Sequence, residues 1–397
     1  MILSKKCLAI EPSITLAIDA KAKKMKAEGI DVVGFGAGEP DFDTPSFIKD
    51  AAKKALDLGM TKYTPASGTL ELRKAICEKL KRANGLDYEP GQIVVSNGAK
   101  HSLFNTFAAI LNPKDEVIIP APYWVTYPEL VRFCDGVPVF VDVDEHNGFV
   151  ASAEAIKKAI TPRTKAILLN SPSNPCGAVY TEQQIRAIAA LAVENDLFLV
   201  SDEIYEELIY DGNKHFSPAQ ISGEVKERTI LINGFSKAYA MTGWRLGYTA
   251  SVQPIAKAMG SLQSHATSNP NSIAQYAGIA ALYGPRDELN AMVNEFDRRR
   301  KYMVARINSI DSLSCATPQG AFYVMLNISH SIGKSIRAKT IGGSMDFCAA
   351  LLEEKNVALV PGIAFGADSY CRLSYALGMD NITRGLDRIE QFMSLLK

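Results

Sequence analysis

Seven short apolar runs follow one another through the middle of this chain, at residues 93–95, 117–119, 138–143, 166–169, 197–200, 229–232 and 246–250. Helical apolar spacing fills most of the gaps between them, as in residues 181–194. A strand too apolar to alternate is buried on both faces, and helices between such strands supply the cover. The pattern therefore requires an α/β domain with a mostly parallel central sheet and helices on both sides. In such sheets ligands bind beyond the carboxyl ends of the strands, so the residues directly after each run are the ones to read for chemistry.

Flanking segments differ. Residues 14–28 read as a helix stopped by Gly29, and residues 31–35 as a short strand leading into Gly34-Phe35-Gly36-Ala37-Gly38-Glu39-Pro40. Helices are expected over 46–58 and 69–83, ending near Gly59 and Gly85. From Pro285 a long charged helix leads into a unit with fewer strands, at 321–326, 357–360 and 370–375. Residues 329–343 are polar and basic and read as an exposed loop. We expect the N-terminal segment to pack with this C-terminal unit. The boundaries are then 46–284 for a large domain, and 1–45 plus 285–397 for a smaller α+β domain.

Composition narrows the function. With 43 basic and 43 acidic residues there is no excess charge for nucleic acid or an anionic membrane. No window approaches a membrane span, and residues 1–13 hold no signal-peptide core. Seven scattered cysteines without a C-x-x-C spacing support neither a disulfide framework nor a metal site. We expect a reducing, cytoplasmic setting.

The strand ends carry a consistent set of groups. After 93–95 come Ser96-Asn97-Gly98-Ala99-Lys100, small residues at a helix start, where bare N–H groups suit a phosphate; Asn97 acting as an ordinary helix cap is the plainer reading. After 117–119 comes Trp124, a ring that stacks on a flat ligand or simply packs. After 166–169 comes Asn170-Ser171-Pro172-Ser173-Asn174-Pro175, at least a turn. After 197–200 comes Asp202, a carboxylate that burial obliges to find a partner, whether a cationic ring nitrogen or a structural hydrogen bond. After 229–232 comes Asn233-Gly234-Phe235-Ser236-Lys237. A lysine desolvated at a strand end becomes a nucleophile for carbonyls, although most lysines are only solvated surface groups. Arg245 and Arg372 lie beside or inside strands, where an arginine pairs with a protein carboxylate or a ligand anion. A phosphate cradle, a ring-stacker, a buried carboxylate, an amine and two arginines are what pyridoxal phosphate asks of a protein.

Read together, the motifs Gly38-Glu39-Pro40-Asp41-Phe42-Asp43-Thr44-Pro45, Tyr63-Thr64-Pro65, Asn174-Pro175, Asp202-Glu203-Ile204-Tyr205, Ser236-Lys237, Gly243-Trp244-Arg245 and Arg372-Leu373-Ser374 resemble the class I aminotransferases of fold type I. The likeness is to the class Iβ, bacterial aspartate aminotransferase subgroup, from about residue 13 to 375.

The resemblance implies that Lys237 condenses with the cofactor aldehyde and then carries the proton between substrate and cofactor. It implies that Asp202 pairs with the ring nitrogen and that Tyr205 and Asn174 hydrogen-bond the ring hydroxyl. Trp124 stacks on the ring, while Gly98, Ala99, Ser236 and Arg245 hold the phosphate, with Tyr63 reaching in from the other subunit of a homodimer. Arg372 grips the substrate α-carboxylate near Asn174, Trp124 and the Gly38 backbone. Lys100 meets a distal carboxylate, its plainer reading being a helix-surface lysine, and Ser13 and Thr15 belong to a loop that closes over substrate. The implied reaction is ping-pong transfer of an amino group between aspartate and 2-oxoglutarate.

Two positions depart from the family pattern. Gly234 stands where relatives often carry a phosphate-binding hydroxyl, so Asn233, Ser236 or water must replace it. Glu11, before Pro12-Ser13, stands where prephenate-using relatives carry a cation, which argues against that substrate. A broad or aromatic aminotransferase and a β-lyase would share every cofactor residue. A non-enzymatic pyridoxal-phosphate regulator lacks chain for a DNA-binding segment. A nicotinamide oxidoreductase lacks its fingerprint, because Glu39 sits where the third glycine should be.

Overall fold

All seven central runs form strands, and they lie in one sheet. The computed structural model describes residues 3–8, 10, 14–337 and 339–397. After a short β1 (Val33–Gly34), the central strands are β2 (Ile93–Ser96), β3 (Glu116–Ala121), β4 (Val137–Asp142), β5 (Thr164–Asn170), β6 (Phe198–Asp202), β7 (Thr229–Gly234) and β8 (Gly247–Ala250). Their order is β2-β8-β7-β6-β5-β3-β4. Every pair is parallel except those made by β8, which runs against both β2 and β7.

Residue alternation explains the cover on both faces. Ile118, Ile167, Leu169 and Leu199 point one way, onto Ile185, Ile188 and Ala192 of the helix Glu182–Glu194. Their neighbours Val117, Ile119, Leu168 and Val200 point the other way, onto Leu103, Phe107 and Ile110 of the helix Ala99–Ile110. The helix Glu182–Glu194 starts at a capping box, Thr181 with Gln184, which satisfies two otherwise bare N–H groups.

The reversed strand β8 decides where the site forms. Register pairs Ser96 of β2 and Gly234 of β7 with Gly247 at the start of β8. The segments leaving β2 and β7 therefore meet the segment entering β8: Gly98, Lys237 and Arg245 reach one sheet edge from three chain directions. This close approach needs glycine. A Cβ on Gly247 would lie 2.4 Å from the Ala99 nitrogen, and one on Gly234 would lie 2.9 Å from the Gly247 Cα.

The remaining strands are β9 (Tyr323–Asn327), β10 (Ser335–Ile336), β11 (Lys339–Thr340), β12 (Val357–Ala358), β13 (Val360–Pro361) and β14 (Tyr370–Ser374). β13, β14 and β9 make an antiparallel sheet, and β1 pairs in parallel with β12. The single strand expected over 357–360 is two short strands, because the chain leaves β1 and joins β14 within four residues. The segment 329–343 is not wholly loop: a 3₁₀ turn, Ser329–Ser331, is followed by the β10–β11 pair, and Ser335 also exchanges backbone hydrogen bonds with Lys397. The N-terminal segment does pack where expected, with Val33 and Phe35 buried beside Phe347, Val357 and Leu386. Among the described residues no helix is long and apolar enough to cross a membrane.

Candidate active site

A cleft of about 590 Å³ opens at this carboxyl edge of the sheet. Its floor is built by the ends of β6 and β7. Asp202, the last residue of β6, is buried, and its carboxylate accepts from the Tyr127 hydroxyl at 2.7 Å and the Ile204 N–H at 3.2 Å. No lysine or arginine pairs with it among the described residues. Burial pushes its carboxyl up to about 6, against the pull of those two hydrogen bonds. Lys237, just past β7, faces the same floor and donates to the Gly38 carbonyl. Burial brings its ammonium down to about 8; Glu39 opposes the shift, while Arg372 and Arg245 add to it. An amine with that value is about one-tenth neutral at pH 7, against roughly three parts in ten thousand for an ordinary lysine.

At one end, the helix Ala99–Ile110 begins at Gly98 with φ +85°, and no side chain caps it. Asn97 is therefore not the cap; its carbonyl instead accepts from Arg245 at 3.4 Å. Arg245, itself at φ +53°, also donates to the Thr242 carbonyl at 2.8 Å, and no protein carboxylate pairs with it among the described residues. A Cβ on Gly98 would lie 2.4 Å from the Arg245 guanidinium, so only glycine lets the bare helix start and this cation face one point.

At the other end, Arg372 on β14 is 3% exposed and also lacks a carboxylate among the described residues. It donates to the Asn174 side-chain oxygen at 3.0 Å and the Gly36 carbonyl at 2.9 Å, and lies 4.5 Å from the Tyr323 ring centre. Its Nε is buried with no acceptor among the described residues. A buried guanidinium left this way is a receptor for a planar anion. Lys100 sits on the wall 5.0 Å from the Trp124 ring, its ammonium lowered by burial and by Arg245. Trp124 itself stands edge-on to Tyr127, ring centres 5.3 Å apart.

The family model for aminotransferases of class I and II matches residues 30–389. The chain belongs to that family. It is 50% identical over 393 residues to the aspartate aminotransferase of Bacillus subtilis (strain 168), covering 99% of both chains. It is 49% identical over 384 residues to the probable aspartate/prephenate aminotransferase of Aquifex aeolicus (strain VF5), 96% of each. The crystal structure of the aspartate aminotransferase from Rhizobium meliloti superposes with a TM-score of 0.97 at 46% identity, over 100% of both chains. The sheet and its connections are thus those of a fold type I aminotransferase.

Of the residues singled out from sequence, this aminotransferase brings Thr15, Gly38, Ala99, Lys100, Trp124, Asn174, Asp202, Tyr205, Ser236, Lys237, Arg245 and Arg372 to the one cleft. Gly98 stands behind Arg245. Tyr63 does not join them: it is 90% exposed and absent from its own cleft wall. Ser13 lies outside the described residues, as does Glu11. Asn233 does not line the cleft: its amide donates to Glu206 at 2.7 Å and its oxygen accepts from the Gly234 N–H at 2.7 Å. Ser236 lines the cleft.

Sequence reasoning missed Tyr127, which holds Asp202, and Tyr323, whose hydroxyl lies 2.9 Å from that of Tyr205. Tyr127 carries a faint signal, one helical turn beyond Trp124. It also missed Asn170, whose amide donates to the Asp202 carbonyl at 3.0 Å, and Glu39, which accepts from Thr242 at 2.7 Å.

The family implies pyridoxal phosphate, and the residues present fit that group. A bare helix start with an arginine suits its phosphate, a buried carboxylate without a cation suits its ring nitrogen, and an amine held near neutrality suits its aldehyde.

Proposed function

We propose that this chain is a pyridoxal-phosphate-dependent aspartate aminotransferase, moving the amino group between L-aspartate and 2-oxoglutarate by a ping-pong route. The observation that carries the reading is one cleft that brings together Lys237, the buried Asp202 carboxylate with no lysine or arginine paired to it among the described residues, and Arg372 and Lys100 on its walls. When bound, pyridoxal phosphate supplies the aldehyde that takes the amino group and a ring that accepts electrons from the substrate α-carbon.

The chain's residues do the rest. Asp202, oriented by the Tyr127 hydroxyl, would pair with the ring nitrogen and favour its protonated form. Tyr205 and Asn174 would hydrogen-bond the ring hydroxyl, and Trp124 would cover the ring. Gly98, Ala99, Ser236 and Arg245 would hold the phosphate. Arg372 fixes the substrate α-carboxylate, with Asn174 and Gly38 setting its orientation. The Lys237 amine would take the proton from the substrate α-carbon as a base and deliver it to the cofactor side as an acid.

Domain organisation follows the same reading: residues 46–284 form the large domain, while 1–45 with 285–397 form a small domain whose closure excludes water. Ser13 and Thr15 belong to the closing segment. The outward-facing Tyr63 supports a homodimer in which each chain completes its partner's phosphate site. Seven unpaired cysteines fit a reducing, cytoplasmic setting.

Preference for a dicarboxylate rests on Lys100. A charged hydrogen bond is worth about 1.5–3 kcal/mol, so Lys100→Ala should lower kcat/KM for aspartate roughly 10- to 150-fold. Rates with alanine and phenylalanine should change less than about threefold, since neither reaches that ammonium. An equal fall for all three substrates would remove Lys100 from the substrate site. The reading as a whole is tested by half-reactions of the purified, cofactor-loaded protein. Aspartate should bleach the visible band and release oxaloacetate. Prephenate, an oxo acid, belongs in the reverse half-reaction, offered as amino acceptor to protein already bleached by aspartate, because some relatives are named for it.

A further inference from the structure

Behind the cleft lies a buried ionic cluster that this chemistry does not use. Lys79, on the helix Leu70–Asn84, pairs with Glu206, and the two side chains are only 7% and 9% exposed. Glu206 also accepts from the amides of Asn84, at 2.9 Å, and Asn233, at 2.7 Å. Three residues earlier, Glu203 accepts from the Ser201 and Ser217 hydroxyls at 2.9 and 2.6 Å and faces the His215 Nε2 at 2.9 Å. Glu203, Glu206 and His215 come close enough to one another to attract a metal ion, but the Lys79 ammonium already supplies positive charge there. None of these side chains lines the cleft.

A buried ion pair is weak evidence of stabilisation, because desolvation offsets much of its attraction. Its position gives it another use. Glu206 directly follows Tyr205, and Asn233 opens the segment that ends at Lys237. The Glu206–Asn233 hydrogen bond therefore ties together the two segments that carry those residues. Asn233 passes the constraint on by holding the Gly234 N–H, and Gly234 is packed against Gly247, which is packed against the Gly98–Ala99 turn.

We propose that Glu206 and Lys79 are positioning residues for transamination: through Asn233 they hold the Lys237 segment in register with Tyr205 and with the phosphate cradle. This rests on the aminotransferase reading above. Glu206 is the acceptor that matters, and Lys79 balances its charge in the core.

Two double variants of the cofactor-loaded enzyme test this. Lys79→Met with Glu206→Gln removes both charges but leaves an amide oxygen for Asn233. Lys79→Met with Glu206→Leu removes the acceptor as well. The Gln pair should rescue most function, with kcat for aspartate within about threefold of the unaltered enzyme. The Leu pair should lose about 10- to 100-fold in kcat with KM changed less than about twofold, as expected for misplacement rather than lost binding. Without substrate, the pH midpoint of its cofactor absorption band should move by about half a unit or more, because the amine sits in altered surroundings.

Should the Leu pair not fold, Asn233→Ala cuts the same link from the other side and should show the same loss and the same band shift. The proposal is overturned if whichever of the Leu pair and Asn233→Ala folds keeps the kcat and band of the Gln pair, or if the Gln pair is as slow as that variant. An unaltered enzyme inactive toward aspartate would instead refute the functional reading, and the band shift would still judge the brace.

Discussion

Lys237→Ala should reduce aspartate transamination by roughly 10⁴-fold or more, at the upper end of what one positioned acid–base group contributes and with covalent capture lost besides. The protein should stay folded, since Lys237 faces the cleft and, among the described residues, its ammonium donates to the Gly38 carbonyl alone. Lys237→Arg separates charge from nucleophilicity. A guanidinium keeps the positive charge but is never neutral at working pH, so this variant should fail as badly as the alanine. Steady-state kcat with aspartate, beside a thermal melt of each variant, checks both. Substantial activity in Lys237→Arg would mean that the position supplies only charge.

Asp202→Ala should slow the reaction by about 10²- to 10⁴-fold. Removing one member of a buried charge pair costs about 3–5 kcal/mol, and each 1.36 kcal/mol is a factor of about ten. Asp202→Asn should be nearly as slow although it can keep the Tyr127 hydrogen bond, because the defect is lost charge and not lost packing. The same carboxylate predicts a pH effect. Burial raises its pKa to about 6, so acid protonates it in the cofactor-free protein as pH falls through that value. A cationic ring favours the ionised form, so affinity for pyridoxal phosphate should weaken below about pH 6, measured by titrating the cofactor-free protein. An Asp202→Asn variant at full speed, with unchanged affinity across that range, would place the residue outside the reaction.

Which parts of this site were legible in sequence depends on where each residue stands on the chain. Asp202 and Lys237 could be read because one ends a buried strand and the other follows one within three residues, so strand recognition alone aims them at the ligand edge. Arg372 could be read as an arginine inside a strand that had to find an anion. The direction of β8 could not be read, since a strand buried on both faces is a continuous apolar run whichever way it runs. Yet that direction is what brings Arg245 beside Gly98. Tyr127 and Tyr323 escaped notice for a related reason. Aromatic residues at apolar positions look like core, and only packing shows that their hydroxyls meet Asp202 and Tyr205. The Lys79–Glu206 pair joins residues 127 apart in sequence, a contact no local pattern announces.

The central claim is a covalent bond at one lysine, and borohydride trapping addresses it most directly. Cofactor-free protein is mixed with pyridoxal phosphate over a pH series, reduced, digested and mapped. The label should fall on Lys237, with capture rising as pH increases through about 8, where its amine becomes neutral. A label on another lysine, or none, would contradict the account.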